Sequence, residues 1–467
     1  MSIPGLSIPG LDLPSLAAAS SATSVAAAVR PPRTEELPAQ TELRFEVAFG
    51  TTYTVKLARG TADFLGTELT PNVPQTFSGT KGAIFTWNGC ALEISGEAES
   101  EYVGSETDYM KKWITAHQML ETMRDDFSTN PNSEPPRVLI VGSDNVGKTS
   151  LARCFAAWSL RMSRTPTIGL LTIPGSLTAV TLSSILDVED GWGSAPISGP
   201  TAIPVKTPLV YHYPFASPET NTAFNEQTGR GPHAKASGII IDTPGSINNA
   251  RNGYENIAHI ISEFSINTVF VLGSERLSSD LRRRFAASKH AISEDEVVVL
   301  RVPESKGAVT RDEDFMRGLR QSQVRNYFFG SQGRENAAPL NPHGQWWDFG
   351  DLTIYRAVDP SAAPTSLSFL PGMDEDEGAT GQQGREGGFE CTTPNQGMVD
   401  AILAVKLCAG NAGIDAVRDS CVMGFVYVAE VDETRKKVRF LAPHPSRWGD
   451  KPLVWGNWPE GVGDLVA

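Results

Sequence analysis

Gly142-Ser143-Asp144-Asn145-Val146-Gly147-Lys148-Thr149-Ser150 contains the spacing G-x-x-x-x-G-K-S/T, and the segments on either side give it meaning. Upstream, Arg137-Val138-Leu139-Ile140-Val141 is a short, β-branched apolar run entered through Pro135-Pro136, which predicts a buried strand. Downstream, Leu151, Phe155, Trp158 and Met162 recur at helical spacing, so Lys148 and Thr149 open a helix. The first amides of a helix lack internal partners, and its dipole is positive at that end. Together these features predict a cradle for the phosphates of a nucleoside triphosphate. The backbone from Asn145 and Val146 through Gly147, Lys148, Thr149 and Ser150 would hold phosphate oxygens, with Lys148 reaching the β- and γ-phosphates. The Thr149 hydroxyl would ligate Mg²⁺. A glycine-rich strand-to-helix turn with no ligand is the competing explanation, and the flanking strand and helix argue against it.

Length and composition bound the rest. A chain of 467 residues, 40% hydrophobic and 20% charged, has material for about two to four domains. No apolar run approaches the roughly 20 residues of a membrane span, so no membrane association is expected. Residues 1–40 are rich in Pro, Ser and Ala, without a basic start or a coherent apolar stretch, and predict a disordered tail rather than a signal peptide. The expected setting is intracellular. Five widely spaced cysteines with no C-x-x-C pair support neither a disulfide framework nor a zinc site. A net charge of −14 argues against non-specific coating of nucleic acid, so any RNA contact is expected to be local or indirect.

The predicted fold class is α/β, with a central P-loop NTPase-like domain built on a mainly parallel sheet between two β-rich flanks. Alternation of Leu43, Phe45, Val47 and Phe49 with polar neighbours predicts an all-β module over 41–108. Within it, Asn88-Gly89 carries the signature of a tight hairpin. A helix and linker over 109–135 lead into the P-loop domain, 136–335. There Gly238-Ile239-Ile240-Ile241-Asp242 and Thr268-Val269-Phe270-Val271-Leu272 read as buried parallel strands. Asp242-Thr243-Pro244-Gly245 has the D-x-x-G form of a nucleotide switch, so Asp242 is either a second metal contact through water or a simple turn cap. A β-rich C-terminal domain spans 345–467 and carries an acidic, glycine-rich insert, 372–388, expected to be disordered.

Several local stretches carry a closer likeness: Glu42-Leu43-Arg44-Phe45-Glu46-Val47, Phe64-Leu65-Gly66-Thr67-Glu68-Leu69, Phe85-Thr86-Trp87-Asn88-Gly89-Cys90, Pro208-Leu209-Val210-Tyr211-His212 and Arg325-Asn326-Tyr327-Phe328-Phe329-Gly330. With the P-loop and the domain order, they resemble the Clp-type polynucleotide 5′-hydroxyl kinases of the pre-mRNA cleavage and polyadenylation machinery, fungal members above all. The resemblance runs from about residue 41 to the C-terminus. It implies ATP with Mg²⁺ as cofactors, a nuclear location, and protein partners within the cleavage and polyadenylation complex. One such partner would be the scaffold subunit that binds the RNA polymerase II tail. It also implies that two residues of the β module, Glu42 and Lys81, grip the nucleotide. By residue type alone, both would be solvated-face residues.

The chain departs from the family pattern where chemistry is concerned. Active members end the strand after the P-loop helix in an acid facing the substrate hydroxyl. Here Arg164-Thr165-Pro166-Thr167 runs directly into Ile168-Gly169, and no Asp or Glu occurs between Lys148 and Leu186. The strand and its acid are therefore expected to be missing, and no catalytic residue is assigned. In the lid segment Arg311 keeps one cationic position, but Met316 occupies the next, and Arg317 beside it points about 100° away on a helix. The base-stacking aromatic is absent from Asp242-Thr243-Pro244-Gly245-Ser246-Ile247. The expected function is thus an ATP-binding, catalytically inactive subunit of the cleavage and polyadenylation factor, with ATP holding the domains for a partner. An active polynucleotide kinase is the alternative. A regulatory GTPase fits less well, because Leu272-Gly273-Ser274-Glu275-Arg276 offers no guanine-specifying N-K-x-D. The basic sets Arg282-Arg283-Arg284 and Arg311, Arg317, Arg320, Arg325 are either phosphate contacts or solvated and paired helix faces.

Overall fold

The computed structural model describes residues 31–130, 132–169, 172–189, 206–215, 237–248, 254–287, 297–330, 340–358, 388–445, 448–463 and 465. The acidic insert lies almost wholly outside the described residues.

The N-terminal module is a sandwich of two antiparallel sheets. Its strands are β1 (Arg33–Leu37), β2 (Thr41–Val47), β3 (Tyr53–Gly60), β4 (Asp63–Phe64), β5 (Thr67–Glu68), β6 (Pro74–Phe77), β7 (Thr80–Thr86), β8 (Cys90–Gly96) and β9 (Ser100–Gly104). One sheet has the order β1-β8-β3-β6 and the other β5-β4-β7-β2-β9. Between them, Leu43, Phe45, Tyr53, Phe64, Ile84, Leu92 and Ile94 form a core of their own. The module begins before the boundary expected at residue 40, because β1 pairs along the edge of β8. The hairpin expected at Asn88-Gly89 is not one. Both edges of β7 are taken by β2 and β4, and both edges of β8 by β1 and β3. The turn instead carries the chain from one sheet to the other, with Gly89 at φ +93°.

Helix α1 (Asp108–Thr129) then crosses to the central sheet. That sheet contains β10 (Arg137–Gly142), β11 (Thr167–Ile168), β12 (Ser176–Thr181), β13 (Lys206–His212), β14 (Ile239–Asp242), β15 (Thr268–Leu272) and β16 (Val298–Val302), in the order β13-β12-β11-β14-β10-β15-β16. The pairings of β10, β11, β14, β15 and β16 are parallel, while β12 and β13 run antiparallel at one edge. Alternate residues of β10 enter opposite layers. Val138 and Ile140 pack beneath helix α2 (Lys148–Arg161), while Leu139 and Val141 pack beneath two helices on the other face, Glu255–Glu263 and Glu275–Ala287.

The C-terminal domain is one seven-stranded sheet among the described residues. It comprises β17 (His343–Asp348), β18 (Ile354–Ala357), β19 (Phe389–Thr392), β20 (Ile402–Lys406), β21 (Val422–Asp432), β22 (Lys437–Ala442) and β23 (Leu453–Trp455). Period-two alternation again splits it: Leu403, Val405, Val426 and Val428 face an outer core, whereas Ile402, Ala404, Phe425 and Tyr427 join the central domain's core. A helix over Glu313–Phe329 ties the three parts together. Its Tyr327 hydroxyl accepts from the Phe425 amide at 3.0 Å, and its Phe315 packs on Phe49 of the sandwich at 5.2 Å between ring centroids.

Candidate nucleotide-binding site

β10 delivers the glycine-rich loop to the carboxyl edge of the parallel strands, between β14 and β15, where open α/β sheets bind their ligands. The glycines sit where backbone geometry demands them. Gly142 has φ +154°, and a Cβ there would lie 2.9 Å from the Leu272 carbonyl oxygen. Gly147, at φ +90°, is the residue from which α2 starts. Lys148 folds back to donate to the Ser143 carbonyl at 2.6 Å. Burial lowers its pKa, opposed by the nearby charges of Asp242 and Asp144.

Behind the loop, the Thr149 hydroxyl donates to Asp242 Oδ2 at 2.5 Å. Asp242 Oδ1 is buried and has no hydrogen-bond partner. Burial raises this carboxyl to about 6, against the Thr149 hydrogen bond and the Lys148 charge. A hydroxyl and an unsatisfied carboxylate oxygen side by side are hard oxygen donors of the kind Mg²⁺ accepts, so the residues present fit the cation.

The loop opens into a cavity of about 1020 Å³, with walls from three parts of the chain. Asn145, Gly147, Lys148, Thr149 and Ser150 line it from the loop, Glu42 and Lys81 from the sandwich, and Arg311 and Met316 from the lid segment. Of the loop residues named from the sequence, Val146 is the exception: it is absent from the cavity lining, and its half-buried side chain packs against the main core. Glu42 is not a solvated-face residue, since it is fully buried. Its Oε1 accepts from Arg44 Nε at 2.6 Å, and its Oε2 from the Tyr109 hydroxyl. Lys81 pairs with Glu46 at 2.8 Å and lies 4.9 Å from the centre of the Phe315 ring.

Arg44, Asp63, Tyr109 and Phe315 also line the cavity and were not picked out by sequence. The alternation along β2 places Arg44 on the face that carries Glu42. Nothing local signals Tyr109, which lies 67 residues away from Glu42.

The strand expected to be missing after α2 is present as the two-residue β11, paired in parallel with Ile239 and Ile240. Pro166 cannot donate to a ladder, and Gly169 follows at once, so the strand is cut short on both sides. The acid is absent, as the sequence dictates. Among the described residues, the carboxylates lining the cavity are Glu42, Glu46, Asp63, Asp144 and Glu189. Each is engaged by the protein: Asp63 by the Gly66 amide at 3.1 Å, Asp144 by the Gly245 amide at 3.0 Å, Glu189 by the Thr76 amide at 2.5 Å, and the two glutamates of β2 as described.

The lid matches its sequence. Arg311 faces the cavity, and burial alone pulls its pKa down. Arg317 lies outside the cavity lining and pairs with Asp314 at 3.1 Å. Other basic residues are likewise occupied. Arg282 donates to the Val299 carbonyl, Arg283 approaches Asp280, and Arg320 donates twice to Glu460.

A parallel-sheet strand, a glycine loop, a helix start and a Thr–Asp pair behind the loop define the P-loop class of α/β proteins. Family models match in three consecutive blocks: the N-terminal beta-sandwich domain of polyadenylation factor over residues 36–127, the mRNA cleavage and polyadenylation factor CLP1 P-loop over 142–330, and the pre-mRNA cleavage complex II protein Clp1 over 340–460. The chain is 43% identical to the mRNA cleavage and polyadenylation factor CLP1 of Phaeosphaeria nodorum, with all of both chains covered. It is 42% identical to that of Botryotinia fuckeliana, again over the whole of both. A solved structure of Clp1p with Pcf11p, described as showing their extended interface and the basis for ATP loss in a point mutant, matches with TM-score 0.77 and 25% identity over 92% of this chain and 98% of that one. The chain belongs to the Clp1 family of mRNA cleavage and polyadenylation factors.

Proposed function

We propose that the chain is an ATP-binding, catalytically inactive subunit of the pre-mRNA 3′-end cleavage and polyadenylation factor, acting in the nucleus. Bound ATP fixes its domains in the arrangement that a Pcf11-like partner recognises. The observation that carries this is the contrast within one cavity: an intact phosphate cradle faces no uncommitted carboxylate among the described residues. Phosphoryl transfer to a hydroxyl needs a group to orient the nucleophile and accept its proton, together with positive charge on the transferring phosphoryl. β11 ends without the acid, and Met316 contributes no charge. Lys148, Thr149 and the loop amides retain the binding half of the machinery. Mg²⁺, held by Thr149 and Asp242, would neutralise phosphate charge when bound.

Adenine is the expected base, because Glu42 lines the cavity and no guanine motif is present. The kinase alternative rests on Arg311 and the loop, and it requires an acid that the described residues do not supply. The test is transfer of labelled phosphate from ATP to a 5′-hydroxyl oligoribonucleotide, alongside the nucleotide content of the protein as purified. Retained ATP without transfer is expected. Transfer that Lys148→Ala abolishes would overturn the proposal.

A further inference from the structure

Arg44 is held more tightly than a surface-strand arginine needs to be. Its Nε donates to Glu42 Oε1 at 2.6 Å, and its Nη1 lies 3.5 Å from the Tyr102 hydroxyl. Glycines close on the guanidinium from two domains. A Cβ at Gly104 of the sandwich would lie 2.7 Å from its Cζ, and one at Gly307 of the P-loop domain 2.5 Å from its Nε. The residue is only 5% exposed, yet Nη2 has no hydrogen-bond partner. A buried donor left unpaired costs stability that a ligand acceptor would recover. Both Arg44 and Glu42 line the cavity.

Their position along the cavity suits the base rather than the phosphates. Glu42, Arg44 and Asp63 share the cavity wall with Cys154, six residues beyond Lys148 on α2. At 1.5 Å per residue, that is about 9 Å down the helix from the cradle.

We propose that Arg44 is a base-reading residue: its unpaired guanidinium N–H donates to a ring nitrogen of adenine, N1 or N7, while the adjacent Glu42 carboxylate accepts from the 6-amino group. The inference rests on the nucleotide-binding function proposed above. Adenine presents a donor beside an acceptor on either of those edges. Each Glu42 oxygen keeps a second lone pair for the amino group. On the N1 edge, guanine or hypoxanthine would place O6, an acceptor, against the carboxylate and N1–H against a donor; on the N7 edge, O6 would face the carboxylate. That mismatch leaves buried polar groups unpaired on both sides, the condition under which polar sites discriminate most strongly.

The test is equilibrium binding of ATP, inosine triphosphate, 1-deaza-ATP and 7-deaza-ATP to the full chain freed of nucleotide. Inosine triphosphate and one of the two deaza analogues are expected to bind at least about tenfold more weakly than ATP. Arg44→Met should weaken ATP while sparing the deaza analogue that the wild-type chain binds weakly, so that their affinity ratio collapses. Arg44→Lys, which keeps the charge but not the rigid fork that lets one N–H bind Glu42 while another faces the base, should do the same. A merely structural arginine would lower both affinities together and leave the ratio unchanged, and that result overturns the proposal. So does equal binding of ATP and both deaza analogues, a comparison that needs no variant to fold. Failure of the wild-type chain to bind any adenosine nucleotide would instead strike the nucleotide-binding function itself.

Discussion

Asp63 shows what one residue can report about this site. Its carboxyl is buried between the sandwich and α2, and burial raises it to about 7, with only the Gly66 amide and the distant Arg161 acting strongly in the other direction. In the unfolded chain the same acid titrates near 3.9. Between about pH 4 and 7 the folded protein therefore holds a proton that the unfolded chain has released. Stability from this group consequently falls as pH rises through that window, and above it the ionised form is a cost on the order of 4 kcal/mol. Asp63→Asn keeps an oxygen for the Gly66 amide and removes the charge. The variant should melt several degrees above wild type at pH 8 and with it at pH 4, both without nucleotide; equal melting at both pH values would discard the argument. At this scale, sequence revealed what is contiguous. The loop residues stand in one run, so their chemistry could be read directly. Arg44, Glu42 and Tyr109 meet only because β2 and α1 are brought together, and no residue near any of them announces the others.

Elements were legible when their own pattern forced them, and were misread when a partner decided. β10, β14 and β15 are buried on both faces, and continuous β-branched runs say so. Asn88-Gly89 has local chemistry suited to a hairpin, but strand pairing is a tertiary choice, and the neighbouring edges were already occupied. β11 escaped notice because two residues between Pro166 and Gly169 carry no period, and its existence depends on Ile239 and Ile240 beside it.

The lid helix Glu313–Phe329 follows the same rule. Asp312 caps it by accepting from the Phe315 amide at 2.8 Å, which its sequence allows, but its docking depends on Phe315 lying against Phe49 and under Lys81. Those contacts close the cavity from the sandwich side. Removing the ring in Phe315→Ala forfeits about 1 kcal/mol or more of aromatic and cation–π contact. Nucleotide loss should accelerate by roughly tenfold as a result. Washout of a fluorescent ATP analogue, followed by stopped flow, measures this. An unchanged rate would mean that the lid does not hold the nucleotide.

Across the whole molecule, the hydrophobic cores are not distributed one per domain. The central domain shares a continuous core with one face of the C-terminal sheet, through Phe328, Phe425 and Tyr427 among others, while the sandwich has a separate core. The three-part order could be read from the sequence, but this fusion could not, because it depends on which face of each C-terminal strand turns inward. The sandwich is therefore the body most easily separated. Its attachments include Phe85, which enters the main core, Leu65 and Trp87 packed against it, Glu68 paired with Arg161 of α2, the Thr76 amide on Glu189, α1, Phe49 on Phe315, and the cavity walls.

On the function proposed above, a nucleotide bridging Glu42 and Lys81 to Lys148 and Thr149 would bind only the docked arrangement. It would stabilise that arrangement by about 2.7 kcal/mol at a hundredfold excess over Kd. A partner segment that recognises the docked form then binds more tightly with ATP present, and by reciprocity slows ATP loss by the same factor. Lys148→Ala combined with Thr149→Ala should thus weaken capture of a Pcf11-like peptide, while circular dichroism shows both variant domains still folded. Melting should resolve into a sandwich transition and a later one without nucleotide, merging when ATP is added. The deciding measurement is titration of the peptide with and without ATP. If the affinities are equal and the variant is folded, ATP does not couple docking to partner binding, and the loop serves the nucleotide alone.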